Sequence, residues 1–243
     1  MKVKNFLIIQ LIGFWLLNNL WSSEIAIPRK IVDSPTAGNL SRGTYQFDLK
    51  FLPQGGVWAE VVVGLTNNLY FGLSYGVSNL IGSDVIQTVG GPGICGQLRI
   101  IEETVLGPAI AIGYNNQDIG PYNNDTTDYY IKAKGLYLTL SKNYRFLGNL
   151  GLHAGISYRI KEKDSTPNLF FLVNKELNSE LYLSAEYDAA LNDQQIKWGY
   201  LNLGISWIAS DKLLLEFDFK NILQNPRLID ANRELRIVYQ EHF

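Results

Sequence analysis

The 243-residue chain is poor in the residue types that most often announce chemistry: it has one cysteine, Cys95, and two histidines, His153 and His242. A single cysteine excludes an intrachain disulfide framework. Its plain reading is a small residue packed in a strand, with a reactive or intermolecular thiol as the alternative in an exported protein. No cysteine follows the apolar N-terminus closely enough to carry a lipoprotein anchor. Charge of one sign is also lacking: the net charge is -2, which gives no basic footprint for a nucleic-acid partner. Long apolar runs are absent after the first two dozen residues, so the remaining sequence offers no transmembrane helix.

The apolar stretch that does occur, residues 6–17, is interrupted only by Gln10. Lys2 and Lys4 precede it, and small or polar residues around Ser22, Ser23 and Ala26 follow. That order describes a secretory signal peptide over residues 1–26, too short for a comfortable membrane span. Residues 27–42 contain Pro28, Pro35, Gly38 and Asn39 with no sustained period, and read as an extended periplasmic lead-in.

From residue 43 the pattern is alternation. Tyr45, Phe47, Leu49 and Phe51 oppose Gln46, Asp48 and Lys50, a period of two that marks a strand with one apolar face. The design recurs at 58–65, 69–76, 152–158, 181–188, 201–207, 213–220 and 234–239. Segments 96–102, 109–114, 130–141 and 169–175 are less clean but rich in β-branched and aromatic residues. Together they give about twelve strands, an even number suited to a bacterial single-chain barrel, and their lengths suit a tilted membrane-crossing strand. Fourteen Tyr and eleven Phe fit strands and interface girdles.

The connections sort by parity. Those at 66–68, 103–107, 144–149, 178–180 and 210–212 are short, and those at 79–93, 115–128, 161–168, 192–199 and 222–233 are longer. Only the first connection of the second set, Pro53-Gln54-Gly55-Gly56, is short. Short turns on one rim and long loops on the other are the outer-membrane arrangement, whereas a secreted sandwich or a lipocalin-like barrel has no reason to sort its loops this way. The expected fold is an all-β, transmembrane, antiparallel up-and-down β-barrel of about twelve strands spanning residues 43–243, in the outer membrane. Its C-terminus, with Tyr239 and Phe243 in alternation behind Ile237 and Leu235, resembles the last-strand signal read by the barrel-assembly machinery, although Glu241 stands where an apolar residue is usual.

The polar face then lines the lumen. It carries Asp48, Glu60, Glu186, Asp188, Glu216, Asp218 and Glu234 against Lys50, Arg99, Lys132, Lys134, Lys220 and Arg236. Unpaired charges there would be costly, so opposite signs on neighbouring strands should pair: Glu216 and Asp218 with Arg236, and Asp48 with Arg236 across the closing seam. Such a set serves either as a charge-filtering constriction or as a ladder of ion pairs that plugs the lumen.

Catalytic signals are weak. His153 shares the polar face of a strand with Ser157, which suggests a membrane-embedded hydrolase, but a nucleophile–base pair needs contact and a third, orienting group. Gly91-Pro92-Gly93-Ile94-Cys95-Gly96 matches G-x-G-x-x-G yet leads into a strand instead of a helix, so it reads as a loop tip. The run 123–128 lacks the ordered acidic spacing of a calcium loop, and the sequons at 39–41 and 124–126 are uninformative in a bacterial host. No metal, cofactor or catalytic residue is expected.

Pro35-Thr36-Ala37-Gly38 and Leu98-Arg99-Ile100-Ile101-Glu102-Glu103-Thr104 followed by Gly107-Pro108-Ala109-Ile110-Ala111-Ile112-Gly113 resemble the YjbH-type family of outer-membrane proteins associated with exopolysaccharide production. Tyr130-Ile131-Lys132-Ala133-Lys134 and Leu140-Ser141-Lys142 extend the likeness, which covers roughly residues 35–158, in a chain shorter than members of that family. The resemblance implies a non-enzymatic accessory of surface-glycan export or display, with outer-membrane lipid, the assembly machinery, and polysaccharide or export proteins as partners. The alternatives are a small-solute, porin-like channel and, third, the hydrolase.

Overall fold

The computed structural model describes residues 27–88, 91–123, 128–160, 166–193, 198–224 and 232–243. The expected signal peptide and most of the run 123–128 lie outside them.

Twelve antiparallel strands form the wall: β1 Thr44–Leu52, β2 Gly56–Gly64, β3 Leu69–Ser78, β4 Gly93–Ile101, β5 Ala109–Asn115, β6 Gly135–Arg145, β7 Asn149–Tyr158, β8 Asn168–Glu176, β9 Leu181–Asp188, β10 Tyr200–Ser210, β11 Leu213–Lys220 and β12 Asn232–His242. Each pairs with its neighbours in sequence, and β12 returns to β1, so the sheet closes and has no edge among the wall strands. Closure satisfies every ladder without water, which a strand in lipid requires. Across the seam Leu235 faces Phe51 and His242 faces Thr44, and the Phe243 amide donates to the Gly43 carbonyl at 3.0 Å. Phe243 and Tyr239 both lie against the Tyr45 ring, at 6.0 and 6.3 Å.

The rims differ as the loop parity anticipates. On the rim holding Gly43 and Phe243, β10 and β11 are joined through residues 211–212 alone and β6 and β7 through 146–148. On the opposite rim β1 and β2 are joined by the three-residue turn Pro53–Gly55, and the longest connection, 116–134, contains its own hairpin, Ile119–Asn123 with Asp128–Ile131. This separates what the sequence pattern joins. Residues 130–141 do not form one strand, because the chain leaves the hairpin at Ile131 and enters β6 only at Gly135, whose φ of +67° lies in the left-handed region and beside which the register shifts. Ile119 and Ile131 tuck against Leu52 and Trp58 near that rim.

Burial is reversed relative to a soluble protein. Phe47, Leu73, Leu98, Ile112, Leu138, Leu152, Phe171, Ile205, Trp207, Phe217 and Phe219 are all exposed on the outside. Asp48, Lys50, Glu60, Glu186, Glu216, Asp218, Lys220, Glu234 and Arg236 are all buried within. A continuous greasy exterior around a charged interior is stable where the outer solvent is lipid. The chain is an outer-membrane β-barrel.

Candidate functional site

Twelve strands enclose more space than wall side chains alone fill, since an eight-stranded barrel is already just wide enough for them. Here a segment of the chain itself occupies the lumen. Residues 27–42, expected as an extended lead-in outside the barrel, lie inside it as a hairpin, with Lys30–Ile31 paired antiparallel to Ser34–Pro35. The hairpin enters beside the terminal rim, where the Asn39 side chain donates to the Asn67 carbonyl at 2.7 Å. Its tip, Val32 and Asp33, reaches Lys50 on β1 and Lys220 on β11, and its returning arm brings Ala37 back beside Ile27 of the first arm and against Ala109 and Ala111 of the wall.

What holds it there is side-chain chemistry from the wall. The Asp33 and Ser34 amides both donate to Glu186 Oε2, at 3.0 and 2.7 Å. The Ala37 amide donates to Ser141 Oγ at 2.8 Å, and Gln97 Nε2 donates to the Gly38 carbonyl at 2.7 Å. Small apolar patches complete the fit: Ile31 and Val32 pack on Phe170 and Leu172 of β8, and Leu40 packs on Val62, Tyr70 and Cys95. The hairpin joins no wall ladder, so the barrel's backbone pairing does not depend on it.

The charges form a belt. Arg29 reaches Asp48 at 2.6 Å and also pairs with Glu60, with its guanidinium 5.4 Å over the Tyr70 ring. Lys30 contacts Glu60 at 2.9 Å and stands 4.7 Å over the Trp58 ring. Burial opposes the Arg29 charge, but Glu60 and Asp48 more than offset it and raise its pKa; burial pushes Lys30 below its usual range, with Glu60 partly restoring it. Further along, Arg236 bridges Asp48 at 3.1 Å and Glu216 at 3.2 Å. Lys50 sits among Asp33, Glu234 and Asp218, at 2.7, 3.2 and 3.5 Å.

Of the residues assigned to the lumen from sequence, Asp48, Lys50, Glu60, Glu186, Glu216, Asp218, Lys220, Glu234 and Arg236 share this belt. The Arg236 pairs with Asp48 and Glu216 form as the pattern suggests, but Asp218 faces Glu234 across β11 and β12 and takes Lys50 as its counter-ion instead of Arg236. Lys134 and Asp188 pair with each other where β6 and β9 meet the loop rim. Arg99 lies at the terminal rim, 2.9 Å from Glu102, and Lys132 lies in the long loop connection, 3.6 Å from Asp193, so neither belongs to the belt. Arg29, Lys30 and Asp33 are the belt members that the sequence pattern placed elsewhere, and Trp58 and Tyr70 are the aromatic faces it did not single out.

His153 does not meet Ser157. Its Nδ1 contacts Ser141 Oγ at 2.7 Å and its Nε2 contacts Asn174 Oδ1 at 2.8 Å. The Ala37 amide caps the same Ser141 oxygen, so this relay is a satisfied polar contact beneath the docked hairpin. Cys95 is buried, and its thiol lies 3.3 Å from Glu60. No group of side chains suited to hold a metal ion occurs among the described residues.

No family model matches the chain, and no curated protein matches it significantly. Among solved structures the barrel is similar to the NanC porin, with a TM-score of 0.42 and 7% identity over 82% of this chain and 98% of that one. It is similar also to the outer membrane protein Omp33 of Acinetobacter baumannii, with a TM-score of 0.42 and 10% identity over 84% of this chain and 100% of that one. The COG4313 outer membrane channel of Pseudomonas putida F1 has a TM-score of 0.39 and 11% identity over 88% of this chain and 100% of that one.

Proposed function

We propose that the protein is a small-solute, porin-like channel whose conducting path is closed by its own N-terminal hairpin. The observation that carries this reading is the kind of contact the hairpin makes. It is held by side-chain hydrogen bonds, ion pairs and small apolar patches, with no ladder bond to the wall. A segment held this way leaves or shifts without opening the barrel, whereas an inserted strand would not. Inward serines and asparagines at Ser74, Asn143, Ser184, Asn202 and Ser206 give the vacated wall a wettable surface. The reading as an accessory of surface-glycan export rests on the sequence likeness to the YjbH-type family alone. The hydrolase reading loses its pair, since His153 is engaged by Ser141 and Asn174 beneath the hairpin.

The test is planar-bilayer conductance of the folded protein beside a variant carrying Arg29→Ala, Lys30→Ala and Asp33→Ala, with heat-shifted gel mobility reporting the folded barrel. The wild type should stay closed with brief openings, and the variant should show long-lived steps. Silence from both folded proteins would overturn the channel.

A further inference from the structure

The wall around Arg29 has the composition of a receptor for the group that now fills it. Two carboxylates, on Asp48 and Glu60, and two aromatic rings, on Tyr70 and Trp58, surround one guanidinium and one ammonium. Carboxylates and ring faces together are how proteins recognise desolvated organic cations, and a planar guanidinium suits both. All four wall residues are buried and belong to β1, β2 and β3, so rigid ladders fix their spacing.

The resident cation uses this site incompletely. Arg29 makes its contacts with Asp48 and Glu60 through Nη2 alone, while its Nε and Nη1 are buried with no hydrogen-bond partner. With its backbone held in the hairpin, the fork presents two parallel N–H groups to neither carboxylate. A guanidinium on a free solute has no such tether and can bind bidentately. If the hairpin withdraws, Asp48 keeps Arg236 and Gln46, but among the described residues Glu60 keeps only the Cys95 thiol. A buried carboxylate left in that state is costly, and an incoming cation offsets the cost.

We propose, on the basis of the channel reading, that Asp48, Glu60, Tyr70 and Trp58 form a site for small solutes bearing a guanidinium group with an ammonium group nearby, and that such solutes compete with Arg29 and Lys30 for it. The hairpin then acts as a tethered pseudo-ligand. Solute and docked hairpin exclude one another, so a solute that binds only the vacated wall shifts the population towards the open state.

The probe is agmatine, titrated by calorimetry into the detergent-folded full chain. Its neutral-headed counterpart N-carbamoylputrescine, which keeps the ammonium and replaces the guanidinium with a urea, is the control. Emptying the site with Arg29→Ala and Lys30→Ala together should tighten agmatine binding at least tenfold over wild type, and the control should bind at least tenfold more weakly. Adding Glu60→Gln to that pair should lower agmatine affinity at least tenfold. Arg29→Gln with Lys30→Gln repeats the comparison where the alanine pair fails the gel-mobility test of folding. Equal agmatine binding by wild type and a folded double variant would overturn the proposal, as would affinity indifferent to Glu60→Gln. Calorimetry needs no conduction, so the two readings fail separately. Binding with a silent bilayer sinks the channel alone, and conduction without binding sinks the site alone.

Discussion

Glu186 shows how much of the hairpin's docking rests on one side chain. Its Oε2 accepts the Asp33 and Ser34 amides at the hairpin tip, and its Oε1 accepts Asn202 Nδ2 at 2.8 Å. Glu186→Ala leaves the buried Ser34 amide unmet, at about 1–3 kcal/mol, and the part-buried Asp33 amide with it. The tip also carries Val32 at φ 53°, a left-handed conformation that a β-branched residue adopts only when its surroundings impose it. Losing the Glu186 anchor should therefore free the tip and not the wall. Hydrogen exchange in micelles should show the amides of 31–36 exchanging at least tenfold faster in Glu186→Ala, the equivalent of about 1.4 kcal/mol, with the β6 and β7 ladders unchanged. Exchange at wild-type rates throughout 31–36 would show that the anchor is not what holds the tip. From sequence, Glu186 read correctly as an inward carboxylate, but its partners did not, because a backbone amide 152 residues away leaves no trace in local alternation.

At the scale of the element, the hairpin depends on two arms lying closer than side chains allow. A Cβ on Gly38 would come within 2.3 Å of the Ile27 carbonyl oxygen and 2.4 Å of that of Pro28. Gly38→Val forces the arms apart, and overpacking of this kind typically costs about 1–3 kcal/mol. Trypsin should then cut after Arg29 or Lys30 in the folded variant while leaving those bonds intact in wild type, as read by mass spectrometry of the products; equal protection would show that the arms yield without undocking. The same element explains which strands were hard to read. β4, β5 and β8 blur the period of two because their inward faces turn apolar: Cys95 on β4, Ala109 and Ala111 on β5, Phe170 and Leu172 on β8. These are the places where Leu40, Ala37, Ile31 and Val32 dock. Most of the clean strands face charge or small polar groups and alternate plainly; β2 and β3 alternate plainly too, although Trp58, Val62 and Tyr70 also face inward on them. An apolar interruption of a lumen face thus marks an internal docking surface, although the sequence alone could not say that residues 27–42 fill it. With Pro28, Pro35 and no period of their own, they carry the marks of an irregular segment wherever they lie.

At the scale of the whole molecule, closure, strand number and loop parity were all legible, because each repeats along the chain and each is imposed by lipid on every strand alike. The lumen was legible as charged but not as filled. Its balance gives the clearest clue in retrospect. With Arg99 and Lys132 placed away from the belt, the described wall strands present six buried carboxylates, Asp48, Glu60, Glu186, Glu216, Asp218 and Glu234, to three buried cations, Lys50, Lys220 and Arg236. The docked hairpin reduces that excess with Arg29 and Lys30, while its Asp33 serves Lys50 and Lys220. A wall stripped of the hairpin is therefore net negative, and the open state should select cations over anions. The Arg29→Ala, Lys30→Ala, Asp33→Ala variant, held between unequal potassium chloride solutions near 0.1 M, should reverse at a potential of cation sign. The preference should fade near 1 M, where the screening length shrinks from about 10 Å to about 3 Å and the belt no longer governs the ions passing it. Adding Asp218→Asn and Glu234→Gln should weaken selectivity at low salt, because it removes two of the six wall carboxylates while Lys50, the cation that contacts both, stays. An open state that selects anions would show that the permeating ions follow a path the belt does not line.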